Sequence, residues 1–163
     1  MEIKIFLTNL SAYSRGNLLG KWVTLPANIN KEIAEVMAMG EPGDEEWFIT
    51  DFDAPFHIDE YADLNKLNDI AEELQGLDET ETSKITFLMN TLGHTFDQAL
   101  LIYEDVYYYP GMNLDEVAEE LVDSGHYGEI PTTVQDFIDY KAIAYSLSTE
   151  GYYELRDGVY FYR

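Results

Sequence analysis

Acidic side chains are the residues of this sequence whose types and spacing could do chemistry. Asp51-Phe52-Asp53 could open a metal-binding loop, and the adjacent carboxylates Asp59-Glu60 and Glu104-Asp105 could serve as the acid and base of a glycosidase. A calcium loop needs further oxygen ligands and a glycine at fixed spacing, and Pro55-Phe56 break that pattern. Because the chain carries 32 acids, adjacent pairs arise by chance, and they indicate a catalytic site only weakly.

Other residue types offer no catalytic arrangement. His57, His94 and His126 stand apart, without the spacing of metal ligands. No serine occupies a nucleophile-elbow motif, and no glycines form a phosphate-binding loop. The chain has no cysteine, which excludes disulfide and thiolate chemistry. We therefore expect a protein that is not an enzyme, with no catalytic residue, metal or cofactor, and keep an acidic metal-dependent hydrolase as an alternative.

The distribution of charge is more informative than any single pair. Residues 41–140 contain twenty-six carboxylates against two lysines, Lys66 and Lys84, and no lysine or arginine follows between 85 and 140. Apolar residues recur throughout this span, which favours a folded acidic surface over a disordered tail. A formal charge of −23 excludes binding to DNA or to an anionic membrane by attraction. It points to a basic partner, so a general acidic binding module for a basic protein is a second alternative.

The segment after Asn113 predicts the most acidic helix of the chain. Its apolar positions form one stripe, and its polar face carries Asp115, Glu116, Glu119, Glu120 and Asp123. The eight steps from first to last rise roughly 12 Å, or about 2.4 Å per charge. Duplex DNA carries one charge per roughly 1.7 Å. Like charges four residues apart each destabilise a helix by about 0.2–0.5 kcal/mol, and this uncompensated cost favours selection for negative potential.

The predicted helices and strands, which must position these residues, indicate an α+β fold. Residues 1–61 are expected to form an N-terminal β-β-α-β subdomain, whose three strands make an antiparallel sheet with one helix. Its predicted strands and helix cover 3–8, 18–25, 46–52 and 31–39. Asn30 is expected to cap the helix, and residues 11–17 are typical of a turn.

The rest of the chain predicts two further subdomains. Residues 62–104 are expected to form a helical middle subdomain, and residues 105–163 a C-terminal α+β subdomain with the dimer contact. The predicted helices cover 63–75, 82–92, 96–104, 113–124 and 132–147, with a strand at 106–109. A C-terminal hairpin follows over 152–163, and its turn is predicted at Asp157-Gly158. The many tyrosines after residue 102 are typical either of sheet packing or of a subunit interface.

Two stretches of this sequence resemble the ArdA antirestriction proteins. One runs from Asp51 through Pro55-Phe56 to Glu60-Tyr61 and is followed by Leu64-Asn65. The other is Gly128-Glu129-Ile130-Pro131 with Val134-Gln135-Asp136-Phe137-Ile138-Asp139-Tyr140. The length, the acidity and the opening Ile5-Phe6-Leu7-Thr8-Asn9-Leu10 agree as well, so the resemblance covers essentially the whole chain.

The resemblance implies an elongated chain of three small subdomains that forms homodimers. ArdA proteins resemble bent duplex DNA and occupy the DNA-binding groove of type I restriction-modification enzymes, which protects incoming plasmids or transposons. The second stretch corresponds to the family's antirestriction motif, near the dimer contact, and its residues here are Gly128, Glu129, Ile130, Pro131, Gln135, Asp136, Phe137, Asp139 and Tyr140.

A DNA mimic needs carboxylates that stand in for phosphates. The eleven expected on this surface are Asp69, Glu72, Glu73, Asp78, Glu79, Asp97, Asp115, Glu116, Glu119, Glu120 and Asp123. The expected partners are a type I enzyme and a second copy of the chain, with no nucleic acid and no membrane. No segment reads as a signal peptide or a membrane span, which predicts a cytoplasmic protein.

Overall fold

The computed structural model describes residues 2–163. Met1, the first residue of the predicted N-terminal subdomain, lies outside this part. The chain divides into two compact units, one ending at Phe96 and the other starting at Asp97. The fold is α+β as predicted, and the finer division into three subdomains stays a prediction. No helix among the described residues has both the length and the apolar character needed to cross a membrane.

The first unit is built on a three-stranded antiparallel sheet. Its strands are β1 (Ile3–Asn9), β2 (Gly20–Leu25) and β3 (Trp47–Asp53), in the order β2-β1-β3. The strand predicted over 3–8 is confirmed, and its residues Ile3, Ile5 and Leu7 are buried. Ile5 lies opposite Val23 on one side and Phe52 on the other, which places β1 at the centre of the sheet.

Two short-range details of this unit differ from the prediction. The segment after β1 forms a short helix, α1 (Leu10–Ser14), because the Asn9 side chain accepts a hydrogen bond from Ala12 N and caps it. The next helix, α2 (Ile29–Ala38), is capped by Asn28 rather than by Asn30. The earlier start buries Ile29, which a start at residue 31 would leave outside the helix.

Asp44 ties the loop before β3 to the end of β1. Its carboxylate accepts hydrogen bonds from Asn9 Nδ2 at 3.1 Å, from Glu41 N at 3.0 Å and from both terminal nitrogens of Arg15. The Asp44 side chain is only 5% exposed. The hydrogen bond from Arg15 is the main cause that lowers the pKa of Asp44 to about 2. A Cβ at Gly40 would lie 2.1 Å from Asp44 Oδ2, so this packing requires glycine there.

We expect Asp44→Asn to lower the melting temperature by several degrees at pH 7, and the difference from wild type to shrink in acid. The pKa of Asp44 in the folded state is about 2, below its ordinary 3.8. Its stabilising effect is therefore complete above the unfolded pKa and is lost as the pH falls from about 4 towards about 2. Thermal unfolding followed at pH 7, 4 and 2.5 measures this, with the exposed Asp69→Asn as the control. A difference independent of pH would contradict the assignment.

Two helices follow β3 in the first unit. The helix α3 (Leu64–Gln75) begins after Asp63, whose carboxylate accepts from the backbone N–H groups of Asn65 and Lys66. The helix α4 (Glu79–Asn90) begins three residues before the predicted start. The prediction missed a reciprocal cap, in which Asp78 accepts from Glu81 N and Glu81 accepts from Asp78 N, both at 2.8 Å.

The second unit packs helices on a second antiparallel sheet. Its strands are β4 (Tyr107–Pro110), β5 (Tyr152–Leu155) and β6 (Gly158–Phe161), in the order β4-β6-β5. The helices are α5 (Phe96–Ile102), α6 (Leu114–Asp123), α7 (Thr132–Gln135) and α8 (Tyr140–Thr149), and a 3-10 helix covers Tyr103–Asp105 between α5 and β4. The helices α6 and α8 contact the sheet through the buried residues Val117, Ala118, Leu121, Ala144, Leu147, Tyr152 and Val159.

Two predictions for this unit are wrong in detail. The last helix is two helices, because Asp139 accepts a hydrogen bond from Ala142 N and starts α8 anew. The hairpin turns at Arg156-Asp157, since Leu155 lies opposite Gly158. Gly158 is thus a strand residue, and a Cβ there would lie 2.3 Å from the Tyr109 carbonyl oxygen. The close approach of β4 explains the glycine that the sequence assigned to the turn.

Candidate functional site

The helix α6 presents a continuous stripe of carboxylates. Asn113 accepts from Glu116 N at 3.0 Å, and Glu116 accepts from Asn113 N at 2.9 Å, so the two residues form a capping box at the start of the helix. Val117, Ala118, Leu121 and Val122 face the core and are buried, and Leu114 is partly buried against it. The polar residues are therefore held on the opposite face, where all five are exposed: Asp115, Glu116, Glu119, Glu120 and Asp123.

These five carboxylates lack neutralising partners. No basic group of the described chain lies within 4.0 Å of any of them. Asp123 also stands in the last turn, where the helix dipole disfavours a negative charge. By contrast, Lys21 of the first unit pairs with Glu32 and with Glu35. The second unit has fourteen carboxylates and three basic residues, so its surface is strongly negative.

The other predicted surface acids are exposed as well. Five of the eleven lie in the first unit, on α3 and at the start of α4: Asp69, Glu72, Glu73, Asp78 and Glu79. Asp97 lies in the first turn of α5 in the second unit. Asp78 also has a structural role, because its carboxylate accepts a hydrogen bond from Glu81 N and caps α4. Their part in binding stays a prediction.

Part of the stretch 128–140 meets the stripe of α6 in one groove. A cavity of about 480 Å³ is lined by Asp115, Glu119, Asp136, Phe137, Ile138, Asp139, Tyr140 and Lys141. We call it the acidic groove. Its lining contains four carboxylates, one lysine and Phe137, a residue that is 84% exposed. An exposed phenylalanine among charges is typical of a surface that another protein covers.

The acidic groove includes only some of the predicted motif residues. The others precede it along the chain and do not line it: Gly128, Glu129, Ile130, Pro131 and Gln135. Sequence reasoning did not foresee Lys141 in this lining, although it directly follows the motif. It also missed a separate aromatic cavity around Tyr107 and Tyr152, which only the register of the sheet brings together.

The residues considered for catalysis show no shared site. Asp51 Oδ1 accepts from the neighbouring Phe52 N. Asp59 lies 3.4 Å from His57 Nε2, and both side chains are exposed. Glu104 and Asp105 lie exposed in the 3-10 helix. Within residues 2–163, no group of three or more His, Asp or Glu side chains is arranged to hold a metal ion.

Comparison with known proteins agrees with the resemblance. The model of the family described as "Antirestriction protein (ArdA)" matches residues 5–162, nearly the whole chain. No curated protein matches this chain. ArdA proteins are inhibitors rather than enzymes, and membership implies an antirestriction function with a restriction enzyme as partner. The chain therefore belongs to the ArdA family of antirestriction proteins.

Proposed function

We propose that this protein is a DNA mimic, which as a homodimer occupies the DNA-binding groove of type I restriction-modification enzymes. The observation that carries the proposal is the stripe of five exposed carboxylates on α6, which have no basic partner within 4.0 Å in the described chain. A surface that only needed solubility would gain from interspersed lysines, because they would relieve the repulsion between neighbouring acids.

The charge density supports mimicry of nucleic acid. Five charges over roughly 12 Å of helix give about 2.4 Å per charge, against about 1.7 Å for duplex DNA. Two chains of −23 would together carry the charge of roughly 23 base pairs. A basic groove that evolved to bind phosphates would attract such a surface by long-range electrostatics, and inhibition would require no chemical turnover.

The stretch 128–140 is proposed to contribute at or near the dimer contact. Phe137 is largely exposed and Val134 is 46% exposed, which supports burial of this segment against another chain. Since the acidic groove also includes Asp115 and Glu119, changes in the segment would disturb the charged surface beside it. This explains how residues without a charge could affect inhibition.

A competition assay tests the function directly. We expect the protein to displace labelled duplex DNA from a type I enzyme, and its apparent affinity to fall about tenfold or more between 0.05 and 0.2 M salt. Binding of a phosphate-like carboxylate in a basic groove releases counterions, which salt opposes. Salt also screens the attraction between the two surfaces, since the Debye length is about 10 Å at 0.1 M. A non-electrolyte at equal osmolarity is the control. Affinity that does not change with salt would rule out mimicry of phosphate charge.

The same assay separates the alternatives. Tight binding to other basic proteins without displacement of DNA would favour a general acidic binding module. Calorimetry with Mg²⁺, Mn²⁺ and Ca²⁺ tests the hydrolase, because an enzyme of that kind needs a stoichiometric metal site. Weak, non-stoichiometric heat is the result that mimicry predicts, since separated surface carboxylates bind divalent ions only diffusely.

A further inference from the structure

A small aromatic cavity opens on the second unit, apart from the acidic groove. Its volume is about 200 Å³, and it is lined by Tyr107, Tyr109, Leu121, His126, Tyr152 and Phe161. Sites for drug-sized ligands and cofactors usually measure about 300–1,000 Å³. The aromatic cavity is therefore of the size for one side chain rather than for a cofactor.

The register of the sheet builds this cavity. Tyr107, Phe161 and Tyr152 lie in one row across β4, β6 and β5, and opposite residues of neighbouring strands share a face. The rings of Tyr152 and Phe161 stack with centroids 4.3 Å apart, and the Tyr107 ring is tilted by 43° at 6.1 Å from Phe161. Tyr152 is 8% exposed and Tyr107 is 63% exposed, so Tyr107 forms the mouth.

Carboxylates place negative charge beside these rings. Burial, followed by the charge of Glu120, raises the pKa of Tyr109. Burial raises the pKa of Tyr152 to about 12, and Glu150 contributes to that rise. The phenols of Tyr109 and Tyr152 therefore stay neutral at physiological pH, and the largely exposed ring of Tyr107 is the one that a ligand can reach at the mouth. A neighbouring cavity of about 710 Å³ shares His126, Tyr152 and Phe161, and its charged lining residues are Glu150 and Arg163. The second unit as a whole has fourteen carboxylates against three basic residues, so the potential around both cavities is negative.

We propose that the aromatic cavity binds an arginine side chain of the restriction enzyme. An aromatic lining on a strongly negative unit attracts a cation, both through the ring quadrupole and through the surrounding charge. Arginine fits better than lysine, because its guanidinium is planar, stacks on aromatic rings and is weakly hydrated. The proposal rests on the proposed function, in which the partner offers a groove rich in basic residues. It adds an anchored contact to an otherwise diffuse electrostatic surface.

A titration of the free protein tests the cavity without any enzyme. The probe is arginine blocked at both ends, and its matched control is blocked citrulline, which keeps the shape but carries no charge. NMR signals of the tyrosine rings should shift and saturate with arginine, and citrulline should bind at least about fivefold more weakly. Equal shifts with both probes would overturn the proposal.

Variants at the mouth then locate the binding. Tyr107→Leu removes a ring that is largely outside the core, and we expect it to weaken arginine binding about two- to tenfold, whereas Tyr107→Phe keeps the affinity. In the competition assay the same order is expected for displacement of DNA from the enzyme. Arginine binding that Tyr107→Leu leaves unchanged would contradict the assigned site.

The two proposals fail in distinguishable ways. If wild type does not displace DNA, mimicry is wrong, whatever the arginine titration shows. If wild type displaces DNA and Tyr107→Leu does so equally well, mimicry stands and the arginine contact with the enzyme is wrong. Loss of displacement in the leucine variant and its retention in the phenylalanine variant would support both.

Discussion

Replacing four acids of α6 with their amides should weaken inhibition of a type I enzyme about five- to a thousandfold. The variant carries Asp115→Asn, Glu119→Gln, Glu120→Gln and Asp123→Asn, and leaves Glu116 in place to preserve the capping box. An exposed ion pair contributes about 0.2–1 kcal/mol, so four together contribute about 1–4 kcal/mol. Each single change should have a small effect, because the binding energy is spread over many charges. Displacement of DNA measured at fixed salt checks this.

A matched variant controls for total charge. Glu2→Gln, Glu45→Gln, Glu46→Gln and Glu60→Gln remove the same four charges from exposed positions of the first unit that lie outside the predicted surface. We expect this control to lose much less affinity, because charge at these sites acts only through the long-range field. The α6 variant should also unfold at a slightly higher temperature, since the like-charge pairs are relieved. Equal losses in both variants would mean that net charge, rather than the α6 stripe, produces inhibition.

Gly158→Ala should destabilise the second unit by about 3 kcal/mol or more. The residue has a φ of +149°, and a Cβ would lie 2.3 Å from Tyr109 O and 2.9 Å from the Tyr108 ring. Backbone strain of this kind costs about 1–3 kcal/mol, and the clash with a neighbouring strand adds to it. Because β4 and β6 would be forced apart, amide protons of Tyr107, Tyr108 and Tyr109 should lose protection from exchange. Hydrogen exchange followed by NMR measures this strand by strand.

Gly128→Ala is the matched control for the glycine. Its φ is +89°, but nothing lies within 4 Å of a Cβ built there. We expect only the conformational cost, about 1 kcal/mol, and no local loss of exchange protection. If both variants were equally destabilised, the backbone conformation alone would explain the effect, and the close approach of β4 would contribute nothing to the loss of stability.

Local sequence patterns predicted most of the fold. The period of the apolar residues gave the strands and the long helices, because one face of each must be buried. The capping box of Asn113 and Glu116 depends on residues three apart, so it could be predicted without knowledge of the rest of the chain. The predicted helix boundaries were wrong where more than one residue could cap a helix. Asn28 replaced Asn30 and Asp139 divided the last helix, since tertiary burial chose between similar local signals.

The candidate site, like the fold, could be predicted from the sequence only in part. The sequence by itself determined the net charge, the acidic face of α6 and the family, because these depend on composition, on spacing within one helix and on short motifs. Only the tertiary structure decided that Asp115 and Asp136 share a groove and that Tyr107, Phe161 and Tyr152 form one aromatic row. The pairings of Asp115 with Asp136 and of Tyr107 with Phe161 join residues more than 20 positions apart. The register of β4 against β6 depends on the close approach that Gly158 permits, which no local pattern encodes.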